Sequence, residues 1–210
     1  TSFTLMSLFI ARLGVVATAS HQIVSNMTAV LYMIPLSLSI ASSSRVSYWI
    51  GAGQIHKARL ALRTGLSLVL ALSLSFATWI GWQHLAIAQF YTQSPEVATL
   101  AATLLLWLAL YHVADAVQVF CVFTLRCYGI TVLPLITYTV LLWGLGLAGG
   151  YAVAYGGIHF DATEFAWLVP QSPIAFWQTG SLALYVTTAV LLPVLWRAAY
   201  RAKHNPHTQH

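Results

Sequence analysis

One acidic residue lies inside a long apolar run, where a charged side chain is costly. Asp115 stands within LWLALYHVADAVQVFCVFTLRCYG, and Tyr111 and Gln118 fall on the same helical face at i−4 and i+3. An ionised aspartate at the centre of a membrane helix costs roughly 2.5–3.5 kcal/mol on insertion scales. A carboxylate flanked by a phenol and an amide can bind a proton or a cation, so this face is the candidate functional site.

A structural role for the same face is the competing interpretation. In it, the three side chains form a hydrogen-bonded knot that fixes helix packing, worth about 1 kcal/mol per bond. We favour the functional interpretation because a neutral Asn or Gln could hold a packing contact without a titratable group. His112 lies close by in sequence and either shares the proton of Asp115 or packs; we favour packing.

The composition predicts a helical membrane protein. Of 210 residues, 59% are hydrophobic and 6% are charged, whereas soluble domains carry about 25% charged residues. The apolar runs are continuous and lack the alternation of a barrel strand. We therefore predict an all-α integral membrane bundle of six transmembrane helices over 1–200, followed by a cytoplasmic tail, 201–210. The six spans are 1–17, 22–48, 58–82, 97–125, 130–155 and 174–196.

The basic residues predict the orientation of the bundle. If the spans alternate, all Lys and Arg residues except Arg12 lie on one side, which the positive-inside rule identifies as the cytoplasm. The formal net charge of +5 then follows from topology and needs no nucleic-acid partner. Some of these cations are expected to meet anionic membrane lipid. The group comprises Arg45, Lys57, Arg59, Arg63, Arg126, Arg197, Arg201 and Lys203.

The second apolar run, 22–48, carries polar side chains and a proline near its middle. Pro35 removes a backbone donor, which a membrane helix tolerates where protein or cavity water satisfies the freed carbonyl. Periodicity leaves two interpretations open. Either the helix is bent and lines a cavity with residues such as Asn26, or it has a packing kink and its serines bond back to their own helix.

Three stretches of the chain resemble a transporter family. They are ARLGVVATASHQIVSN, LYMIPLSLSIASSSRVSYWIGAGQIHKAR and YHVADAVQVFCVFTLRCYG. They are similar to the second half of multidrug and toxic compound extrusion (MATE) transporters of the NorM-like bacterial branch. Members have twelve transmembrane helices in two six-helix lobes. The resemblance implies that this chain corresponds to helices seven to twelve and works with an N-terminal lobe.

The resemblance also implies roles for individual residues. Asp115 and Tyr111 match a cation-binding aspartate and tyrosine, and Tyr32 matches a tyrosine near the cation in some members. The family's glutamate on the seventh helix is expected just before Thr1, outside the chain, and Arg12 stands where a proline is common. The residues expected to line the cavity are Gln118, Asn26 and Pro35.

The implied function is multidrug efflux driven by sodium or proton antiport across the bacterial cytoplasmic (inner) membrane. The expected substrates are amphipathic, often cationic drugs or dyes, and no cofactor, catalytic residue or metal other than a monovalent cation at Asp115 is expected. Two alternatives stay open. A related flippase for lipid-linked saccharides should carry more basic residues inside its cavity, and a non-transporting membrane subunit has no need of a titratable group in mid-span.

Overall fold

The helices of this chain follow one another with short connections. The computed structural model describes residues 2–155 and 172–201, with side chains from residue 4 onward. Every element in these ranges is helical, so the all-α prediction is confirmed. The elements are α1 (Ser2–Ala11), α2 (Val15–Gly51), α3 (Ile55–Tyr91), α4 (Pro95–Cys127), α5 (Val132–Val140), a π-helical segment (Leu141–Ala148), α6 (Gly149–Tyr155) and α7 (Ile174–Arg201).

Five helical stretches within the described ranges are long and apolar enough to cross a membrane: α2, α3, α4, α7, and Val132–Tyr155 as one continuous run. The first predicted span, 1–17, has a different form. The ten residues of α1 reach about 15 Å, half of the ~30 Å hydrocarbon core. Helix α1 ends at Ala11, and Gly14 adopts a φ of 107° that other residues rarely tolerate, so a new helix begins at Val15.

The remaining helices extend beyond the predicted apolar runs. Residues 83–96 lie between two predicted spans, but α3 continues to Tyr91 and α4 begins at Pro95, which leaves only 92–94 between these helices. Hydropathy marks the part of a helix that lies in hydrocarbon, whereas the helix itself continues into the polar interface. The predicted connector 156–173 falls almost entirely outside the described residues, as does the tail beyond 201.

Helix α4 is the centre of the bundle. It packs against α2, α3 and α7, and every residue from 114 to 121 is buried. On one side, Ser20 Oγ of α2 donates to the Val97 carbonyl at 3.1 Å, and Cys127 Sγ donates to the Ser43 carbonyl at 3.3 Å. These paired positions show that α2 and α4 run in the same direction.

Helix α7 is also parallel to α4. Its Tyr185 hydroxyl donates to the Leu110 carbonyl and its Thr188 hydroxyl to the Ala114 carbonyl, each at 3.1 Å. Helix α3 runs the other way, since short turns join it to α2 and α4. The ends of α2, α4 and α7 therefore meet the start of α3 at one end of the bundle.

That end carries the described basic residues other than Arg12. Arg59 of α3 donates from Nε to the Ala199 carbonyl at 3.0 Å and from Nη2 to the Tyr200 carbonyl at 3.1 Å. Arg63 donates to the Tyr200 hydroxyl and lies over the Trp196 ring. The last carbonyls of a helix lack intrahelical donors, so Arg59 both caps α7 and joins it to α3.

The π-helical segment packs closely against α7. The Thr179 hydroxyl donates to the Gly146 carbonyl at 2.8 Å, and a Cβ added at Gly150 would lie 2.7 Å from the Phe176 ring. A π-helical turn displaces its carbonyls from the usual ladder and often marks a functional site. Glycines at this surface let the two backbones approach, as small residues do in membrane helix pairs.

Replacing Gly65 by alanine should destabilise the bundle. The added Cβ would lie 2.8 Å from the Ser42 Cβ and 3.0 Å from the Phe120 ring, and overpacking of this kind costs about 1–3 kcal/mol. Gly81 of the same helix is the control, because its added Cβ would meet nothing within 4 Å and alanine favours the helix by up to about 1 kcal/mol. Thermal unfolding in detergent compares the two, and equal midpoints would contradict the close α2–α3 approach.

Candidate functional site

A cavity of about 500 Å³ lies between α2, α4 and α5. Helix α2 provides one wall, α4 a second, and α5 with residues 130–131 a third. Much of the lining is apolar, with Val119, Val122 and Leu135 among its members. Its size falls within the 300–1,000 Å³ typical of small-molecule sites. The polar lining residues are Ser25, Thr28, Tyr32, Tyr111, Asp115, Gln118, Arg126, Thr131 and Tyr138.

The carboxylate of Asp115 lies in this cavity among three tyrosines. Tyr111 is on the same helix, Tyr32 comes from α2, and Tyr138 comes from α5. All three phenols line the same cavity as the Asp115 side chain. Asp115 is 8% exposed, so a nearly buried side chain forms part of the cavity lining. Three helices thus place hydroxyl groups around one acid.

Asp115 faces the cavity because of its position along α4 and because the residues on either side of it are small. Tyr111, Asp115, Gln118 and Val122 follow each other at intervals of three or four residues, and all four line the cavity. The adjacent Ala114 and Ala116 are buried and fill little space, which lets other helices approach the carboxylate's turn. The polar stripe predicted on this helix is therefore the face that α4 turns to the cavity.

No cation of the described chain neutralises Asp115. The one basic residue of the cavity lining, Arg126, lies eleven residues further along α4, which corresponds to about 16 Å at 1.5 Å per residue. Arg126 is exposed, and its guanidinium lies 4.9 Å from the centre of the Phe123 ring. The cavity thus has one acidic residue in its interior and one basic residue at its mouth, which is the end of the bundle where the other arginines lie.

The structure brings together four of the six residues predicted for the site. Asp115, Tyr111, Tyr32 and Gln118 line one cavity, whereas the other two lie elsewhere on α2. Asn26 is exposed, because it lies about 100° around the helix from the lining residue Ser25.

Pro35 and His112 lie apart from the cavity for different reasons. Pro35 is buried between helices, and its carbonyl accepts a bond from the Ser39 hydroxyl at 2.6 Å. His112 faces α3, where its ring meets the edge of Phe76 at 6.4 Å. It is therefore placed for packing and does not line the acid's cavity.

Five polar lining residues were not predicted from the sequence, namely Ser25, Thr28, Arg126, Thr131 and Tyr138, and three of them show why. Thr28 was one of many polar residues on its helix, and its hydroxyl donates to the Val24 carbonyl at 2.7 Å. Tyr138 lies in an apolar run with no acid or amide near it in sequence. The sequence indicates only that Arg126 is a basic residue near the end of a helix. The four-residue spacing between Thr28 and Tyr32 could have indicated that both lie on the same face of the helix. The positions of Tyr138 and Arg126 at the cavity depend on how α5 packs against α4.

The donors around Asp115 suit a small, singly charged cation. Carboxylate and hydroxyl oxygens favour hard cations, and a single carboxylate supplies one negative charge. No group of three or more His, Cys, Asp or Glu side chains able to hold a metal occurs in the described part of the chain. A proton or a monovalent cation therefore fits this set of groups better than a divalent metal does.

Comparison with known families identifies the class of protein. The MatE family model matches residues 1–152. This chain belongs to the MatE family. The resemblance seen in the sequence motifs is thereby confirmed. The fold class is likewise that of a MATE transporter lobe.

Relatives of this MatE chain carry names that refer to drug resistance. "Probable multidrug resistance protein NorM" of Aromatoleum aromaticum is 34% identical over 99% of this chain and 43% of its own length. The protein of the same name in Shewanella oneidensis is 36% identical over 98% and 42%. "Multidrug resistance protein MdtK" of Yersinia pseudotuberculosis is 36% identical over 93% and 40%. The MatE chain thus spans about two fifths of these relatives' length.

A solved structure has the same arrangement of helices. The crystal structure of the eukaryotic MATE transporter AtDTX14 superposes with a TM-score of 0.76 at 18% sequence identity, over 96% of the MatE chain and 44% of that protein. At this identity the likeness concerns the fold. It supports the bundle described above as one half of such a structure.

A cysteine placed in the cavity of the MatE chain should react with a water-soluble thiol reagent. The parent protein for this experiment carries Cys127→Ser and keeps the fully buried Cys121, which should stay unlabelled because reactivity requires access. Adding Val122→Cys, on the cavity wall, should give labelling in membranes, read by mass spectrometry. Labelling of the parent, or none of Val122→Cys, would contradict the open cavity.

Proposed function

We propose that this chain is the C-terminal lobe of a secondary multidrug transporter, in which Asp115 binds the coupling cation. The observation that carries the proposal is the buried Asp115 carboxylate, which faces a cavity together with Tyr32, Tyr111 and Tyr138. An intramembrane acid directed into a cavity is a functional site by default, because its charge is expensive to keep there. The relatives' names supply drug efflux as the activity.

Cation binding and helix movement are coupled through that charge. A proton or sodium ion at Asp115 neutralises the acid and removes the electrostatic cost of holding it among apolar side chains. Helices α2 and α5 supply the other phenols of the site, so occupancy changes the free energy of bringing these helices against α4. A ligand that binds one arrangement better shifts the population towards it.

The substrate side of the cycle uses the same cavity. Apolar side chains and aromatic faces fit an amphipathic compound, and tyrosine rings add cation–π attraction for a positive charge. If the drug binds one arrangement of the lobe better and the cation binds the other, each ligand favours release of the other. This coupling through two arrangements of the same helices gives antiport. A second lobe completes the pathway, because alternating access operates at the interface between repeats.

Orientation in the membrane is part of the proposal. The end of the bundle where α2, α4 and α7 finish carries the described basic residues other than Arg12, and the positive-inside rule assigns that end to the cytoplasm. The membrane is the bacterial inner membrane, in which the NorM and MdtK relatives would work. The exposed Arg126 at the cavity mouth would then meet cytoplasmic solvent.

A lipid-linked saccharide flippase and a non-transporting subunit are less well supported. Among the described lining residues, one is basic, and it stands at the cavity mouth rather than inside it. A pyrophosphate would need cations near its binding position. A subunit without transport would have no use for the titratable group.

Replacing Asp115 by asparagine should abolish gradient-driven efflux. The amide keeps the size of the side chain but cannot alternate between charged and neutral forms, so dye efflux should fall at least about tenfold, within the 5–150-fold range of typical coupling free energies. The assay is efflux of a cationic dye from proteoliposomes of the full transporter under an imposed proton or sodium gradient.

Glu96→Gln is the matched control, because it removes the other described acid, an exposed residue in the first turn of the same helix. It should leave efflux near the wild-type rate. Full gradient-driven efflux by a well-expressed Asp115→Asn protein would overturn the proposal, and the gradient that sustains wild-type efflux identifies the coupling ion.

A further inference from the structure

A buried histidine lies directly behind the cavity wall. His21 of α2 is 1% exposed, and its Nε2 lies 3.0 Å from the Ser7 hydroxyl of α1 and 3.2 Å from the Ser25 hydroxyl of its own helix. Ser25 is itself a lining residue of the cavity. One ring nitrogen therefore connects the short helix α1 with the cavity that contains Asp115.

Aromatic contacts also link the His21 ring to a second lining residue of the cavity. Its centre lies 5.9 Å from that of Trp177 on α7, and Trp177 lies 5.6 Å from the lining residue Tyr111. Nδ1 of His21 is buried and has no hydrogen-bond partner in the described part of the chain. Leaving such a group unpaired lowers the free energy of unfolding by about 1–3 kcal/mol. A purely structural role therefore does not explain a histidine at this position.

Among the described residues, few charges lie near His21. Helix α1 and the described first turns of α7 have no titratable side chain near the ring. A proton on the imidazole would therefore add a charge where these described helices have none. In the part of the chain that the structure describes, the titratable groups on the elements around it include Arg12 after α1, His84 and Tyr91 late in α3, Glu96, Tyr111 and His112 in α4, Tyr151 and Tyr155 in α6, and Tyr185 in α7.

Protonation changes what Nε2 can do. In neutral imidazole protonated at Nδ1, Nε2 has a lone pair that accepts from the hydroxyls of both Ser7 and Ser25. A proton that adds to that lone pair gives an imidazolium, whose Nε2–H donates to the serine oxygens instead. The proton thus reverses the direction of the serine–histidine hydrogen bonds, and no other bond is formed or broken.

We propose that His21 is a second proton-binding side chain of this transporter, and that its protonation changes the hydrogen bonds that link α1 to the cavity wall. The proposal rests on the cation-coupled transport argued above and adds a residue to it. Asp115 sets whether a gradient drives efflux. His21 sets how efflux depends on pH through the position of α1 beside Gly14, where the helix is already broken.

The test is the pH profile of dye efflux by the full transporter in proteoliposomes. His21→Gln keeps a hydrogen-bonding side chain but does not titrate, so it should make the profile shallower by one proton, about tenfold less change in rate per pH unit on the affected limb. The control His56→Gln removes an exposed histidine at the start of α3 and should leave the profile unchanged. A His21→Gln profile that superimposes on the wild-type profile would overturn the proposal.

Imidazole ¹⁵N NMR of the full transporter in nanodiscs provides a second measurement that does not depend on transport. One histidine signal should titrate from neutral to charged, and its midpoint should shift in Ser7→Ala, which removes one of the two hydroxyls. If His21→Gln does not fold, this pair of proteins decides the question. If no buried histidine signal titrates, the proposal for His21 is wrong and the role of Asp115 is unaffected. Full efflux by Asp115→Asn would instead contradict the coupling mechanism itself.

Discussion

The structure depends on keeping one carboxylate away from lipid. Asp115 can stand in an apolar helix only if protein and a polar cavity surround its turn, and α4 meets this need by occupying the centre of the bundle. Eight consecutive residues, 114–121, are buried on all faces of the helix. The helices around it are correspondingly less buried and present most of their apolar side chains outwards, where a membrane would cover them.

The arrangement of charge follows the same constraint. The described acids are Asp115 in the interior and Glu96 at one end of α4, while the cations other than Arg12 collect at the opposite end. There Arg59 bonds to helix-end carbonyls, and the guanidinium groups of Arg59, Arg63 and Arg126 lie over aromatic rings, while no described carboxylate lies at that end. Such contacts satisfy a guanidinium at a membrane interface without adding an acid to the apolar core.

Local patterns in the sequence predicted the long helices, though not their ends, and part of the site. Composition predicted the helical bundle, and spacing along α4 predicted that Tyr111, Asp115 and Gln118 share a face. The choice of Asn26 over Ser25 failed because a helix with polar residues on several sides does not reveal which side meets a cavity. Tyr138 could not be found either, since its place beside Asp115 arises from packing between helices distant in sequence.

The π-helical segment makes sense of a repeat in the fifth long helix. Pro134, Tyr138, Leu142, Gly146, Gly150 and Ala154 recur every four residues, and all are at least half-buried. In a regular α-helix, a four-residue step advances about 40° too far, so five steps would carry this stripe round to the opposite face. The wider turns of residues 141–148 reduce that drift. The change of pitch therefore helps one helix to place a tyrosine on the cavity and glycines against α7.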